Sequence, residues 1–294
     1  MVKLKFALVI VLLCSILVGC NGNKEEITIG LIPLKDKEEM INNFDPIKLY
    51  LEDNIKTSVN VIIADDYASL VKGMEQGTID IGWYGAYSYI AADSLLDLKP
   101  LVVQERKVDG LYYQSLIITK KESDIHTIED LKGSTFSIVD SGSTSGYVLP
   151  FALFRSRDIE IEDFFDEVHF SGTHQQVTID IESNLVDAGA ISSIQFEKLI
   201  KENKIDENDY RVIWKSEDIP GSLFVAGTNI DEKIQEKFIS AMVAIHQEQP
   251  KALEEFDDSI ERYIEVDNSI YHSIRNIATI LGKDYMIEFF LKSE

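Results

Sequence analysis

The sequence predicts an α/β fold of two lobes, and three observations carry that expectation. Residues 27–83 alternate strand-like and helix-like patterns in a β-α-β-α-β order, which implies a parallel sheet with helices on its faces. A second strand and helix series starts near residue 112. The chain has 294 residues with no repeat, low-complexity tract or long linker, a length that suits two domains of ordinary size.

The elements follow in order. Lys3 and Lys5 precede an apolar run, Phe6–Val18, that ends in Leu17-Val18-Gly19-Cys20. The run is too short to span a bilayer and has the form of a signal peptide over residues 1–19. Its end resembles a bacterial lipobox, which makes Cys20 the acylated first residue of the mature chain. Two or more acyl chains give stable anchoring, so the expected location is the extracytoplasmic face of the bacterial cell membrane. Cys14 leaves with the leader, so the mature chain holds no disulfide of its own. Residues 20–26 read as a short polar tether.

Ile27–Ile32 is a first strand, Asp45–Ile55 a helix, and Val59–Ile63 a second strand rich in β-branched residues. Tyr67–Gln76 is a helix that Gly77 stops. Ile79–Trp83 is a third strand leading into Tyr84-Gly85. Ligands of such sheets sit beyond the carboxyl ends of the strands, where Tyr67, Trp83 and Tyr84 fall. Tyr112–Thr119 reads as one long strand. Thr127-Ile-Glu-Asp130 has the form of a capping box. Thr135–Val139 is a strand running into Ser141-Gly-Ser-Thr-Ser-Gly-Tyr147, and Gly146–Arg157 is a helix with Pro150 in its first turns. Val168–Phe170, Ala188–Ser192, Arg211–Trp214 and Leu223–Ala226 are further strands. Asp231–Gln247 and Ile270–Leu281 are amphipathic helices. The acidic segment from Glu254 to Asp267 reads as a solvated surface.

The charge balance narrows the function. Lys and Arg total 28 against 51 Asp and Glu, a formal net charge of −23; loss of Lys3 and Lys5 takes it from −23 to −25. Nucleic acid and anionic lipid surfaces are therefore poor partners. An anion site must win locally, and the 141–147 loop has the chemistry for one. A helix start leaves backbone N–H groups unpaired at the positive end of the dipole. Ser143, Thr144 and Ser145 add hydroxyl donors, and glycine allows close backbone approach. The loop contains no Lys or Arg, so dipoles rather than a counter-ion are expected to hold the anion. No metal or cofactor set is evident: His126, His169, His246 and His272 lack partners at metal-ligand spacing.

Seven segments in order resemble the phosphonate-type solute-binding proteins of bacterial ABC importers. They are Asp66-Tyr-Ala68, Asp80-Ile-Gly-Trp-Tyr-Gly85, Ser143-Thr-Ser-Gly146 with Pro150, Ser171-Gly-Thr-His174, Val186-Asp-Ala188, Val212-Ile-Trp-Lys-Ser216 and Ile219-Pro-Gly221. The resemblance implies a two-lobe, type II periplasmic-binding-protein fold with a hinged interdomain cleft. The first lobe is then expected over 27–114 plus 235–294, and the second over 115–234. It implies that Tyr67, Tyr84, Ser143, Thr144, Ser145 and His174 hold phosphonate oxygens, and that an ABC permease is the partner of a monomeric receptor. A dianion taken from water loses a large solvation energy and each charge-assisted hydrogen bond returns roughly 1.5–3 kcal/mol, so about six to eight are needed for micromolar binding near −8 kcal/mol; this donor set supplies that number. Receptors of the family that take aminoalkyl phosphonates place a Glu and an Asp on the ligand ammonium. Those positions fall at Ile194 and Ser222 here, which favours methylphosphonate, phosphite or phosphate. Two other readings compete: a same-fold receptor or sensor partner for another small solute, and a serine esterase or phosphatase. Against the second, Thr144 occupies the nucleophile place of a G-x-S-x-G elbow, and His174 has no evident acid partner.

Overall fold

The structure is a computed structural model that describes residues 26–282, the side chains of residues 162 and 280 excepted. The expected signal segment, Cys20 and the tether up to residue 25 lie outside the described residues. Among the described residues, no helix is long and apolar enough to cross a membrane.

Strands β1 (Glu26–Leu31), β2 (Ser58–Ile63) and β3 (Ile81–Tyr84) are connected by helices α1 (Lys37–Ile55) and α2 (Tyr67–Glu75). They pair in parallel, β1 lying between the other two, as the alternating pattern predicts. Helix α1 starts two turns before the expected position. Asp36 caps it, its carboxylate accepting from the Glu39 N–H at 3.0 Å. Met40, Phe44, Ile47, Leu51 and Ile55 then bury one stripe, which holds the helix together across the interior Pro46. Helix α2 ends at Glu75 with Gln76 as its C-cap, and Gly77 follows at φ +68°.

Helix α3 (Ala86–Leu95) and strand β4 (Lys99–Arg106) come next. The chain then crosses to a second sheet. This sheet holds β6 (Ser115–Lys120), β7 (Thr135–Ile138), β8 (Glu167–Phe170), β9 (Ala188–Ser192) and β10 (Tyr210–Lys215), in the order β10-β6-β9-β7-β8. Helices α4 (Leu149–Ser156), α5 (Ile161–Phe164), α6 (His174–Glu182) and α7 (Ser193–Lys201) lie among these strands in sequence. The predicted long strand at Tyr112–Thr119 is broken at Gln114. Its first part, β5 (Tyr112–Tyr113), pairs with β11 (Ile219–Pro220) in a separate two-stranded ribbon. That ribbon joins the outgoing and returning crossovers.

Strand β12 (Leu223–Ala226) inserts antiparallel between β3 and β4, and β13 (Ile260–Glu265) adds to the far side of β4. The first sheet is therefore mixed, in the order β13-β4-β12-β3-β1-β2. This corrects the expected second-lobe limit at residue 234: β12 already pairs in the first sheet, because the chain has crossed back by residue 222. Helices α8 (Glu232–Glu248) and α9 (Pro250–Asp257) close that sheet's core, where Phe44, Trp83, Phe224, Phe238 and Phe256 stack edge to face or tilted. Helix α10 (His272–Leu281) ends the described chain. The acidic segment is only partly solvated: Asp257 is buried against Arg106 and Lys198.

Candidate functional site

A small cavity lies between the two sheets, and several helix starts converge on it. Tyr67 opens α2, Gly85 caps α3, Thr144 opens the turn before α4, and His174 opens α6. Ser192 caps α7 by accepting from the Gln195 N–H at 3.1 Å. All five line the cavity. A helix start carries backbone N–H groups without intrahelical partners and the positive end of the dipole. The cavity has about 30 Å³ available to water centres; a single water needs roughly 10–15 Å³ on that measure. The volume suits a compact oxyanion headgroup.

The serine-threonine loop is shaped by its sequence. The Ser143 hydroxyl accepts from the Gly146 N–H at 3.1 Å, and the Ser143 carbonyl from the N–H groups of Tyr147 and Val148. The residues Thr144–Val148 thus form a wide π turn that continues into α4. Gly146 is required there, since a Cβ would lie 2.3 Å from Val139 Cγ2. Thr144 Oγ1 accepts from the Tyr87 N–H at 2.8 Å, so the second sheet's loop caps α3 of the first. Ser145 is held from behind, its carbonyl accepting from the Ser115 hydroxyl at 2.6 Å.

The charge states are set by burial. His174 is buried and its pKa is pushed down to about 3 by desolvation. Its Nδ1 accepts from the Ser192 N–H at 3.2 Å, which leaves the proton of the neutral ring on Nε2. Burial pushes the Tyr67 phenol far above its ordinary value, with Asp140 adding to the shift and a hydrogen bond with Ser143 opposing it. Burial likewise raises Tyr113, against hydrogen bonds with Ser145 and Thr144. Both phenols therefore stay protonated donors. Asp140, just before the loop, is pushed up to about 6 by burial, opposed by the Gly142 N–H and reinforced by Asp66.

The structure thus brings Tyr67, Ser143, Thr144, Ser145 and His174 to one cavity. Tyr84 is not among the residues lining it. Its ring lies over Gly82, beside Met74 of α2, and its neighbour Trp83 lines the cavity instead. That is a correction with a simple cause: adjacent strand residues point to opposite faces. Ile194, Gln195 and Ser222 also line the cavity, so no carboxylate stands at the two positions where an ammonium partner was sought. Sequence reasoning missed Tyr113, Gln104, Ser192 and Arg106. Arg106 modifies the expectation of a site without cations: its guanidinium reaches the cavity wall, where Asp257 pairs it at 3.4 Å and Ser259 accepts from it. Among the described residues no cluster of three or more His, Cys, Asp or Glu is placed to hold a metal.

Comparison with known proteins adds a second line of observation. The sequence profile of the periplasmic substrate-binding proteins of phosphonate ABC transporters matches residues 29–271. The chain is 26% identical over 290 residues to the phosphate-import protein PhnD of Mycolicibacterium smegmatis, covering 90% of this chain and 88% of that protein. It is 28% identical over 233 residues to the phosphonates-binding periplasmic protein of Escherichia coli, covering 76% of this chain and 68% of that one. Among solved structures, PhnD1 of Prochlorococcus marinus in complex with methylphosphonate superposes with a TM-score of 0.78 at 22% identity, covering 88% of this chain and 99% of that one. A binding component of an ABC phosphonate transporter from Pseudomonas aeruginosa gives 0.79 at 22%, covering 92% and 94%. At these identities the structures speak for the two-lobe fold.

Proposed function

The chain belongs to the family of phosphonate periplasmic substrate-binding proteins of ABC transporters, and from that premise we propose that it captures a small phosphorus oxyanion outside the cytoplasm and delivers it to an ABC permease. The observation that carries this reading is the convergence of five helix starts on a cavity of headgroup size. A dianion taken from water loses a large solvation energy, and charge-assisted hydrogen bonds from fixed donors replace it. Ser143, Thr144, Ser145, Tyr67 and the His174 Nε2–H are the donors assigned here, with Tyr113 added to them. Tyr84 is left out of the set.

The ligand class is methylphosphonate, phosphite or phosphate in preference to aminoalkyl phosphonates. Ile194 and Ser222 offer an ammonium no carboxylate, and Arg106 faces it with like charge. The chain acts as a binding protein and not as a hydrolase: His174 Nδ1 is occupied by a backbone N–H instead of a carboxylate. Cys20 carries the lipid anchor, and the receptor works as a monomer held at the membrane.

Titration calorimetry with these anions tests the reading. Thr144→Leu or Ser145→Leu should abolish binding while the far-ultraviolet circular dichroism stays native. Unchanged affinity in both variants refutes the assigned site, and tighter binding of 2-aminoethylphosphonate than of methylphosphonate refutes the ligand class.

A further inference from the structure

Three residues that line the cavity each carry a polar atom with no hydrogen-bond partner. The atoms are Trp83 Nε1, Gln104 Oε1 and Arg106 Nε. Their residues are only 3%, 1% and 7% exposed, and all three line the cavity. The other guanidinium nitrogens of Arg106 are engaged, Nη1 by Asp257 and Ser259 and Nη2 by Asp257, so Nε is its one nitrogen with no partner. Strand β4 supplies Gln104 and Arg106 from alternate positions on one face, and β3 supplies Trp83. Strand β12 lies between β3 and β4, and just before it the Ser222 carbonyl accepts from the Gln104 N–H at 3.2 Å.

We propose that these three residues read the fourth substituent on phosphorus and select inorganic phosphate over methylphosphonate and phosphite. The inference rests on the phosphorus-oxyanion reading given above. Three oxygens of any of these ligands face the serine loop, Tyr67 and His174; the fourth position faces Trp83, Gln104 and Arg106. There a methyl group or a hydrogen leaves two N–H donors and one carbonyl oxygen dry. A hydroxyl accepts from the indole or guanidinium N–H and donates its own proton to Gln104 Oε1. Monohydrogen phosphate alone among the three anions brings both functions to that position. A site built to hydrogen-bond a hydroxyl rejects the analogue that lacks it, because the buried partners are then stranded.

Calorimetric titration of the purified protein with phosphate, methylphosphonate and phosphite at one pH decides the matter. Phosphate is expected to bind roughly tenfold tighter than either, or more. Trp83→Phe removes the indole N–H and Gln104→Met the side-chain amide, and each should narrow the ratio of phosphate to methylphosphonate affinity. Methylphosphonate or phosphite binding as tightly as phosphate to the unaltered protein overturns the inference, as does an unchanged ratio in both folded variants. If none of the three anions binds, the reading of the site fails and takes this inference with it; if all bind without preference, only the inference falls.

Discussion

His174 and Asp140 titrate in opposite senses. The folded state keeps His174 neutral down to about pH 3, whereas an unfolded chain protonates it near its ordinary value of roughly 6.5. Stability from this group is complete above that value and is lost as the pH falls through the window. Asp140 holds its proton up to about pH 6 when folded and releases it near 3.9 when unfolded, so its contribution is lost as the pH rises between those values. The two trends oppose each other between about pH 4 and 6. Melting curves across that range should show a shallower acid loss for His174→Asn than for the unaltered protein, and a steeper one for Asp140→Asn. Superimposable profiles for all three proteins refute this account. The legible residues were those whose chemistry is local. Hydroxyls at a helix start announce themselves, and so Ser143–Ser145 and His174 were readable. Which of Trp83 and Tyr84 faces the cavity depends on strand register, where a shift of one residue exchanges the faces, and sequence does not fix that. Arg106, Gln104 and Tyr113 were invisible because their partners come from strands far away in the chain.

The π turn at Thr144–Val148 and the start of α3 meet across the cavity, and their glycines make opposite demands. A Cβ on Gly146 would lie 2.3 Å from Cγ2 and 2.6 Å from Cβ of Val139, a β-branched side chain that cannot swing aside. Gly146→Ala should therefore cost about 1–3 kcal/mol in urea denaturation, and it should weaken anion binding by displacing Ser143 and Thr144. At Gly85 a Cβ meets Thr144 Oγ1 at 3.5 Å and Ser88 Oγ at 3.6 Å, which is ordinary contact. Gly85→Ala should melt like the unaltered protein yet bind more weakly, since the methyl group enters the cavity wall. A Gly146→Ala protein with native melting and affinity contradicts this picture of the turn. Among whole elements, the strand-helix alternation of residues 27–83 was plain because its partners are local and parallel. Helix α1 began early because Asp36 capped it and burial carried it through Pro46, a tertiary override of a local breaker. Strand β4 and the split at Gln114 were missed for a related reason: both are defined by pairing with β11, β12 and β13.

At the scale of the molecule, the two halves meet along a seam of opposite charges. Lys198 on α7 lies 3.8 Å from Asp257, Lys201 pairs with Asp258, and Lys204 stands 4.0 Å from Glu39. The lysines belong to the second sheet's half and the acids to the first. Exposed pairs contribute little, but Lys198 and Asp257 are mostly buried. Free energy spent on closing the halves is subtracted from the affinity for the ligand. Lys198→Met, which leaves the anion cavity's lining unchanged, should therefore raise the dissociation constant several-fold and reduce its dependence on ionic strength. Equal affinity and equal salt dependence in the two proteins exclude a role for the seam. The placement of β12 has a further consequence, for biogenesis. Among the described strands β4 pairs with β12 and β13, and one edge of β3 waits for β12. A nascent chain emerging from its amino end therefore cannot complete its first sheet until the whole inserted second half has been made. The second sheet is the earlier to become self-sufficient, and the amino-terminal strands stay open in the interval, a delay that favours threading through an export channel before folding.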